Sequence, residues 1–178
     1  MIEVTCGPMF SGKTEKLIRK LKRAKIAEVS YIVVKPNISS RYDDEEIGIV
    51  THDQEHKALA VVVNDLEQLY NIAHEYQIIA IDEAQFFDKD LYKTVLRLAD
   101  EGKRIIASGL DMDFQREPFE TMSNLLSIAD KIDKITSVCV ECKENAIYSH
   151  RTVAIEDQKF IGSTESYMPL CRKCFNKK

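Results

Sequence analysis

Ile2-Glu3-Val4-Thr5-Cys6-Gly7-Pro8-Met9-Phe10-Ser11-Gly12-Lys13-Thr14 is the stretch on which the fold turns. Its first five residues suit a short apolar strand. Gly7 to Thr14 then fits G-x-x-x-x-G-K-[ST]. Behind it Leu17, Ile18, Leu21 and Ala24 recur at helical spacing between charges, predicting a helix from Thr14 to about Ala27. A strand, a glycine-bearing loop and a helix in that order make an anion nest. Successive backbone N–H groups converge on one point at the positive end of the helix. The pattern predicts that Gly7, Pro8, Met9, Phe10, Ser11, Gly12, Lys13 and Thr14 wrap the phosphates of ATP. Lys13 then reaches the β- and γ-phosphates and the Thr14 hydroxyl serves Mg²⁺.

Working outward, Tyr31–Val34 is a β-branched run of the kind buried on both faces, stopped at Pro36. From Asn37 to Lys57 there is little periodicity, and an acidic run, Asp43-Asp44-Glu45-Glu46, lies in that stretch. A loop of this length in a compact domain is usually functional or mobile. Leu59–Val63 is another strand, and Asn64 or Asp65 can cap a helix to about Glu75. Ile78–Ile81 is a buried strand, Leu91–Ala99 an amphipathic helix ended by Gly102, and Arg104–Ala107 a further strand. Leu125–Ala129 suggests a helix and Ile135–Val138 a last strand. Strand and helix alternate, so the expected fold is α/β with a mostly parallel sheet.

Composition agrees with a folded chain. Of 178 residues, 44% are apolar and 30% charged, with only six glycines and four prolines. The formal net charge of −4 argues against a sequence-blind grip on nucleic acid. The one dense basic run, Arg19 to Lys25, is expected to be a solvated helix face. No apolar run reaches the roughly 20 residues of a membrane span, and Met-Ile-Glu-Val lacks the pattern of a signal segment. The expectation is a cytoplasmic protein with neither a nucleic-acid nor a membrane partner.

Two further groups carry chemistry. Ile78–Ile81 ends in Asp82-Glu83. In a phosphate-loop protein an Asp there serves Mg²⁺, and the next residue lies near the γ-phosphate. A carboxylate at that point either orients water or takes a proton from a substrate hydroxyl. Cys139-x-x-Cys142 and Cys171-x-x-Cys174 can supply four thiolates to one tetrahedral Zn²⁺. Four protein ligands leave no open position, so the metal is structural. The 28 residues between the pairs leave room for a functional loop. The expected division is residues 1–138 as a nucleotide-binding domain and 139–178 as a Cys₄ zinc domain. Cys6 is expected to be a small buried hydrophobe.

Gly7–Thr14, then Asp82-Glu83-Ala84-Gln85-Phe86-Phe87, then Gly109-Leu110-Asp111-Met112-Asp113-Phe114-x-x-x-Pro118-Phe119, then the four cysteines, together resemble type II thymidine kinases. The motifs come in that family's order and span nearly the whole chain. The resemblance implies a fold similar to RecA-type ATPases with a zinc-bearing lasso domain. It implies phosphoryl transfer from ATP to the 5′-hydroxyl of thymidine, with Glu83 as the base, Lys13 on the phosphates and Arg41 near the transferring group. It implies a thymidine site of Met9, Phe86, Leu110, Phe114, Phe119, Gln158, Phe160, Ile161, Gly162 and Tyr167, with backbone groups around Gly162 reading the base edge. It further implies a homotetramer inhibited by dTTP. Gln85 is expected either to line the site or to hold the local backbone.

Two other classes fit parts of the pattern. One is a phosphate-loop ATPase whose Cys₄ ribbon contacts nucleic acid, against which stand the net charge and the sparse basic residues near the ribbon (Lys143, Arg151, Arg172, Lys173). The other is a non-catalytic nucleotide sensor, which leaves Glu83 beside Asp82 without a purpose.

Overall fold

A computed structural model of the protein describes residues 1–37, 46–50, 57–152 and 166–178, with residues 46–50 and 57–59 described through their backbone only. The elements are β1 (Ile2–Cys6), α1 (Lys13–Ile26), β2 (Tyr31–Pro36), β3 (Glu46–Val50), β4 (Lys57–Val63), α2 (Leu66–Ala73) and β5 (Ile78–Ile81). After a 3₁₀ turn at Ala84–Phe86 come α3 (Leu91–Asp100), β6 (Arg104–Gly109), α4 (Glu120–Ile128) and β7 (Lys131–Lys134). The chain finishes with β8 (Ser137–Val138), β9 (Asn145–Ala146), β10 (Tyr148–Arg151), β11 (Tyr167–Leu170) and the short α5 (Arg172–Phe175).

Among the described residues the central sheet has seven strands in the order β3-β4-β2-β5-β6-β1-β7. Every neighbouring pair is parallel except β3–β4. Leu17, Ile18, Leu21 and Ala24 of α1 pack on one face with Val33, Ala60, Ile78, Ala80 and Ile106. The helices α2, α3 and α4 cover the other face, where Leu69, Leu91, Val95, Leu98, Met122 and Leu125 meet Ile79, Ile81, Ile105 and Ala107. The sheet is therefore buried on both sides, which is why its strands read as continuous apolar runs. Asp65 caps α2, its carboxylate accepting from the Gln68 N–H at 2.7 Å. The topology puts β6 between β1, which feeds the phosphate loop, and β5, which ends at Asp82. No helix among the described residues is long and apolar enough to cross a membrane.

Three expectations are corrected. The last strand of the sheet is Lys131–Lys134 and not Ile135–Val138; of that stretch only Ser137–Val138 forms a strand, in a separate pair with β9. The sequence of β7 is polar because an edge strand needs only backbone pairing, and charge on an edge blocks further strands. The stretch from Asn37 to Lys57 holds β3, antiparallel to β4 from Glu46↔Val61 to Val50↔Lys57. The basic run on α1 is not wholly solvated: Lys20 pairs with Glu3 at 3.0 Å and Asp133 at 3.6 Å, with its side chain 15% exposed. Cys6 is buried, and burial pushes its thiol up to about 11.

Candidate active site

The chain leaves β1 at Gly7, with φ 150°. A Cβ there would overlap the carbonyl oxygen of Ile135, so glycine is required at this close approach. Phe10 (φ 62°) and Gly12 (φ 82°) are left-handed, and Gly12 stands at the N-terminus of α1. Lys13 Nζ and Ser11 Oγ both donate to the Pro8 carbonyl, at 2.6 and 2.7 Å. Burial holds the Lys13 ammonium below its usual pKa, against the attraction of Glu83 and Asp82. Two hydroxyls beyond the central sheet fasten the loop. Ser149 Oγ on β10 accepts from the Met9 N–H at 2.9 Å, and Ser137 Oγ on β8 donates to the Phe10 carbonyl at 2.9 Å.

Asp82 follows β5 and is buried. Burial first, then the neighbouring Glu83 charge, pushes its carboxyl up to about 6, although Lys35 Nζ lies 3.5 Å from it and opposes the shift. Glu83 has φ 54°, a left-handed backbone on a residue with a Cβ. The buried Gln85 amide ties this turn to the next strand end. Its Nε2 donates to Glu83 Oε2 at 2.6 Å and its Oε1 accepts from the Leu110 N–H at 3.0 Å. A Cβ on Gly109 would crowd that amide oxygen, so a glycine also serves this contact. Ser108, the penultimate residue of β6, is buried, and its Oγ has no hydrogen-bond partner among the described residues. It falls on the α1 side of the sheet by strand alternation from Ile106.

The segment after β6 closes on itself. Met112 bridges Pro118, the Phe119 N–H donates to the Asp111 carbonyl at 3.1 Å, and Asp113 Oδ1 accepts from the N–H groups of Gln115 and Glu117. Asp111 is buried and pairs with Lys134 at 2.8 Å. The rings of Phe86 and Phe119 meet edge to face at 6.2 Å. Alternate residues of β10 divide the work. Tyr148 and His150 pack on Phe175, while Ser149 reaches Met9 and Arg151 reaches Phe114 and Tyr167.

The Sγ atoms of Cys139, Cys142, Cys171 and Cys174 all lie within 4.8 Å of one another, and all four are free thiols. A tetrahedron with Zn–S distances of ~2.3 Å has edges of about 3.8 Å, and Cys142 and Cys171 stand 3.5 Å apart. The cluster therefore fits a zinc ion. Around it Ala146 and Leu170 make only a small core, with Met168 and Phe175 at its margin.

A family model described as thymidine kinase matches residues 1–175. The chain belongs to the thymidine kinase family. It is 47% identical to a thymidine kinase of Porphyromonas gingivalis over 176 residues, covering 99% of this chain and 85% of that one. It is 44% identical to a thymidine kinase of Bacteroides thetaiotaomicron over 174 residues (98% and 86%) and 41% identical to one of Mycoplasma mobile over 174 residues (98% and 86%). Among solved structures it is similar to the genome packaging NTPase B204 from Sulfolobus turreted icosahedral virus 2 in complex with sulfate, with 23% identity, a TM-score of 0.46, and coverage of 74% of this chain and 72% of that one.

Of the residues the thymidine kinase resemblance singles out, the structure brings Met9 against β10, Glu83 and Leu110 onto one glutamine, Phe86 against Phe119, and Phe114 and Tyr167 onto one arginine. Arg41, Gln158, Phe160, Ile161 and Gly162 lie outside the described residues. Gln85 holds the local backbone, one of its two expected roles. Sequence reading missed Ser137, Ser149, Lys35 and Ser108. A serine or lysine beside a motif carries no local mark of which backbone group it will meet. In the sequence Arg151 reads only as a basic residue near the ribbon, whereas it is buried against Phe114.

Proposed function

We propose that this thymidine kinase family member transfers the γ-phosphoryl group of ATP to the 5′-hydroxyl of thymidine in nucleotide salvage. The products are dTMP and ADP, and deoxyuridine serves as a poorer substrate. A pocket separates substrates differing by one methyl group by only ~1–3 kcal/mol. The phosphate loop, residues Gly7 to Thr14, holds the triphosphate, with Lys13 on the β- and γ-phosphates. Glu83 takes the 5′-hydroxyl proton as the new P–O bond forms and the bond to the β-phosphate oxygen breaks, that oxygen keeping the electron pair. Arg41 steadies the transferring group. The observation that carries this reading is the Gln85 amide, which fixes the Glu83 carboxylate and the Leu110 backbone together. It leaves Glu83 Oε1 without a partner among the described residues. In a loose transition state the proton leaves late, so positioning counts for more than basicity.

The Thr14 hydroxyl and the Asp82 carboxylate are hard oxygen donors and would hold Mg²⁺, which when bound neutralises charge on the β- and γ-phosphates. The four cysteines would hold a structural Zn²⁺ in a lasso domain over residues 139–178, next to a nucleotide-binding domain over 1–138. Met9, Phe86, Leu110, Phe114, Phe119 and Tyr167 form the walls of the thymidine site. Gln158, Phe160, Ile161 and Gly162 complete it, as the resemblance implies. Free thiols in the cluster suit a reducing cytoplasm. Assembly as a homotetramer and inhibition by dTTP belong to the same reading. The nucleic-acid ATPase finds little support, since Arg151 is buried and Arg172 lies over the Tyr148 ring.

The assignment of Glu83 is tested by Glu83→Gln in a kinase assay beside an ATP-binding titration. A fall in kcat of about 10²-fold or more is expected, with ATP affinity nearly unchanged. Near-normal kcat would remove Glu83 from the mechanism.

A further inference from the structure

Arg151 is 7% exposed, a level at which an arginine needs its charge compensated. Its guanidinium carbon stands 3.6 Å from the centroid of the Phe114 ring. From the same group Nε and Nη2 donate to the Tyr167 hydroxyl at 3.1 and 2.6 Å. The residues come from three places. Phe114 lies in the closed segment after β6, Arg151 ends β10, and Tyr167 begins β11 opposite it in register. One planar, forked cation therefore spans the gap between the β10–β11 hairpin and the nucleotide-binding part of the chain. Stacking against one face of Phe114 fixes the plane of that ring, and the fork fixes the tip of Tyr167. Lysine can do neither, because its charge is a point and its donors are not coplanar.

We propose that Arg151 is a positioning residue for the nucleoside. It sets the Phe114 ring and the Tyr167 hydroxyl in the arrangement that receives the thymine base, and it touches neither ATP nor the transferring phosphate. This rests on the assignment of Phe114 and Tyr167 to the thymidine site. The consequence is a split in the kinetics. Disordering two walls of the base site weakens nucleoside capture, while the phosphate loop and Glu83 keep their own supports.

The test is steady-state kinetics on the full chain, varying thymidine and ATP separately, for Arg151→Gln, Arg151→Lys and Tyr167→Phe. For Arg151→Gln the thymidine KM should rise at least tenfold, with ATP KM within twofold and kcat within threefold of wild type. Arg151→Lys should remain at least fivefold impaired in thymidine KM, since restoring charge alone does not restore the stack or the fork. Tyr167→Phe, which deletes one oxygen, should raise thymidine KM about threefold. In a Phe114→Leu background the Arg151→Gln change should add no more than the roughly threefold that Tyr167→Phe costs, because only the fork to Tyr167 is then left to lose. Thymidine KM within twofold of wild type in Arg151→Gln would overturn the proposal, as would thymidine and ATP KM values that rise in step. Should Arg151→Gln fail to accumulate as folded protein, an unchanged thymidine KM in Tyr167→Phe together with full rescue by Arg151→Lys would overturn it. A wild-type protein that makes no dTMP would overturn the functional reading beneath it. Wild-type turnover with unaffected Arg151 variants would overturn this inference alone.

Discussion

Glu83 is held where an ordinary residue resists being placed. Its φ of 54° costs an L-residue about 1–2 kcal/mol, a strain that persists only when neighbours fix it. Here the Gln85 amide is the neighbour, 2.6 Å from the carboxylate. Glycine at this position would relieve the strain and add backbone freedom to the unfolded chain, effects of similar size and opposite sign. Glu83→Gly should therefore keep its unfolding free energy within about 1 kcal/mol of wild type while losing turnover, as read by urea titration beside a kinase assay. A loss of several kcal/mol would mean that the carboxylate is a structural anchor first.

At the scale of elements, Glu3 binds three of them together. It is buried on β1, with Lys20 of α1 at 3.0 Å and Arg104 of β6 at 2.5 Å. Burial alone would raise its pKa, but the hydrogen bonds and charges of Lys20 and Arg104 overcome that and hold it below the usual range. A depressed carboxyl stabilises the fold above its unfolded pKa of ~4.3, and that contribution is lost as pH falls through the folded value. Glu3→Gln should cost about 1–3 kcal/mol at pH 7, since Lys20 loses its charge partner while largely buried whereas the Arg104 side chain, 40% exposed, can be solvated. The gap to wild type should narrow below about pH 4 in denaturant titrations. A gap that stays constant down to pH 3 would show that packing at position 3, not charge, sets the loss.

The same elements show what a sequence can and cannot disclose. Gly7 to Thr14 and Ile78 to Glu83 are legible because their chemistry is local: spacing, apolar runs and a strand end. The polar strand Lys131–Lys134 is not, because its place is decided by pairing with β1, more than a hundred residues earlier. Glu3, Lys20 and Arg151 look like surface charges in sequence. Their burial depends on partners in other elements, as with Arg104 Nε on Glu3 across a separation of 101 residues. The aromatic residues proposed for the thymidine site are legible only through the family resemblance, since each alone reads as core.

Across the whole molecule, the cysteine cluster and the phosphate loop are mechanically joined. Ser137 and Ser149 leave the central sheet behind yet fasten Phe10 and Met9. On its own side the cluster has little apolar core beyond Ala146 and Leu170. A zinc ion would therefore contribute much of the order there. Cys171→Ser should lose bound zinc and raise the thymidine KM about tenfold or more, with a smaller effect on ATP. Zinc content by elemental analysis and kinetics on the same preparation check this. A zinc-free variant that binds thymidine normally would detach the cluster from the nucleoside site.

The most direct measurement is product analysis on the wild-type chain. Zinc-replete protein with Mg·ATP is mixed separately with thymidine, deoxyuridine, deoxycytidine and deoxyguanosine, and each reaction is examined for the 5′-monophosphate. Strong dTMP formation, weaker dUMP and no purine nucleotide is the predicted result. ATP hydrolysis without a monophosphate from any nucleoside would contradict the account and turn attention to stimulation of that hydrolysis by DNA.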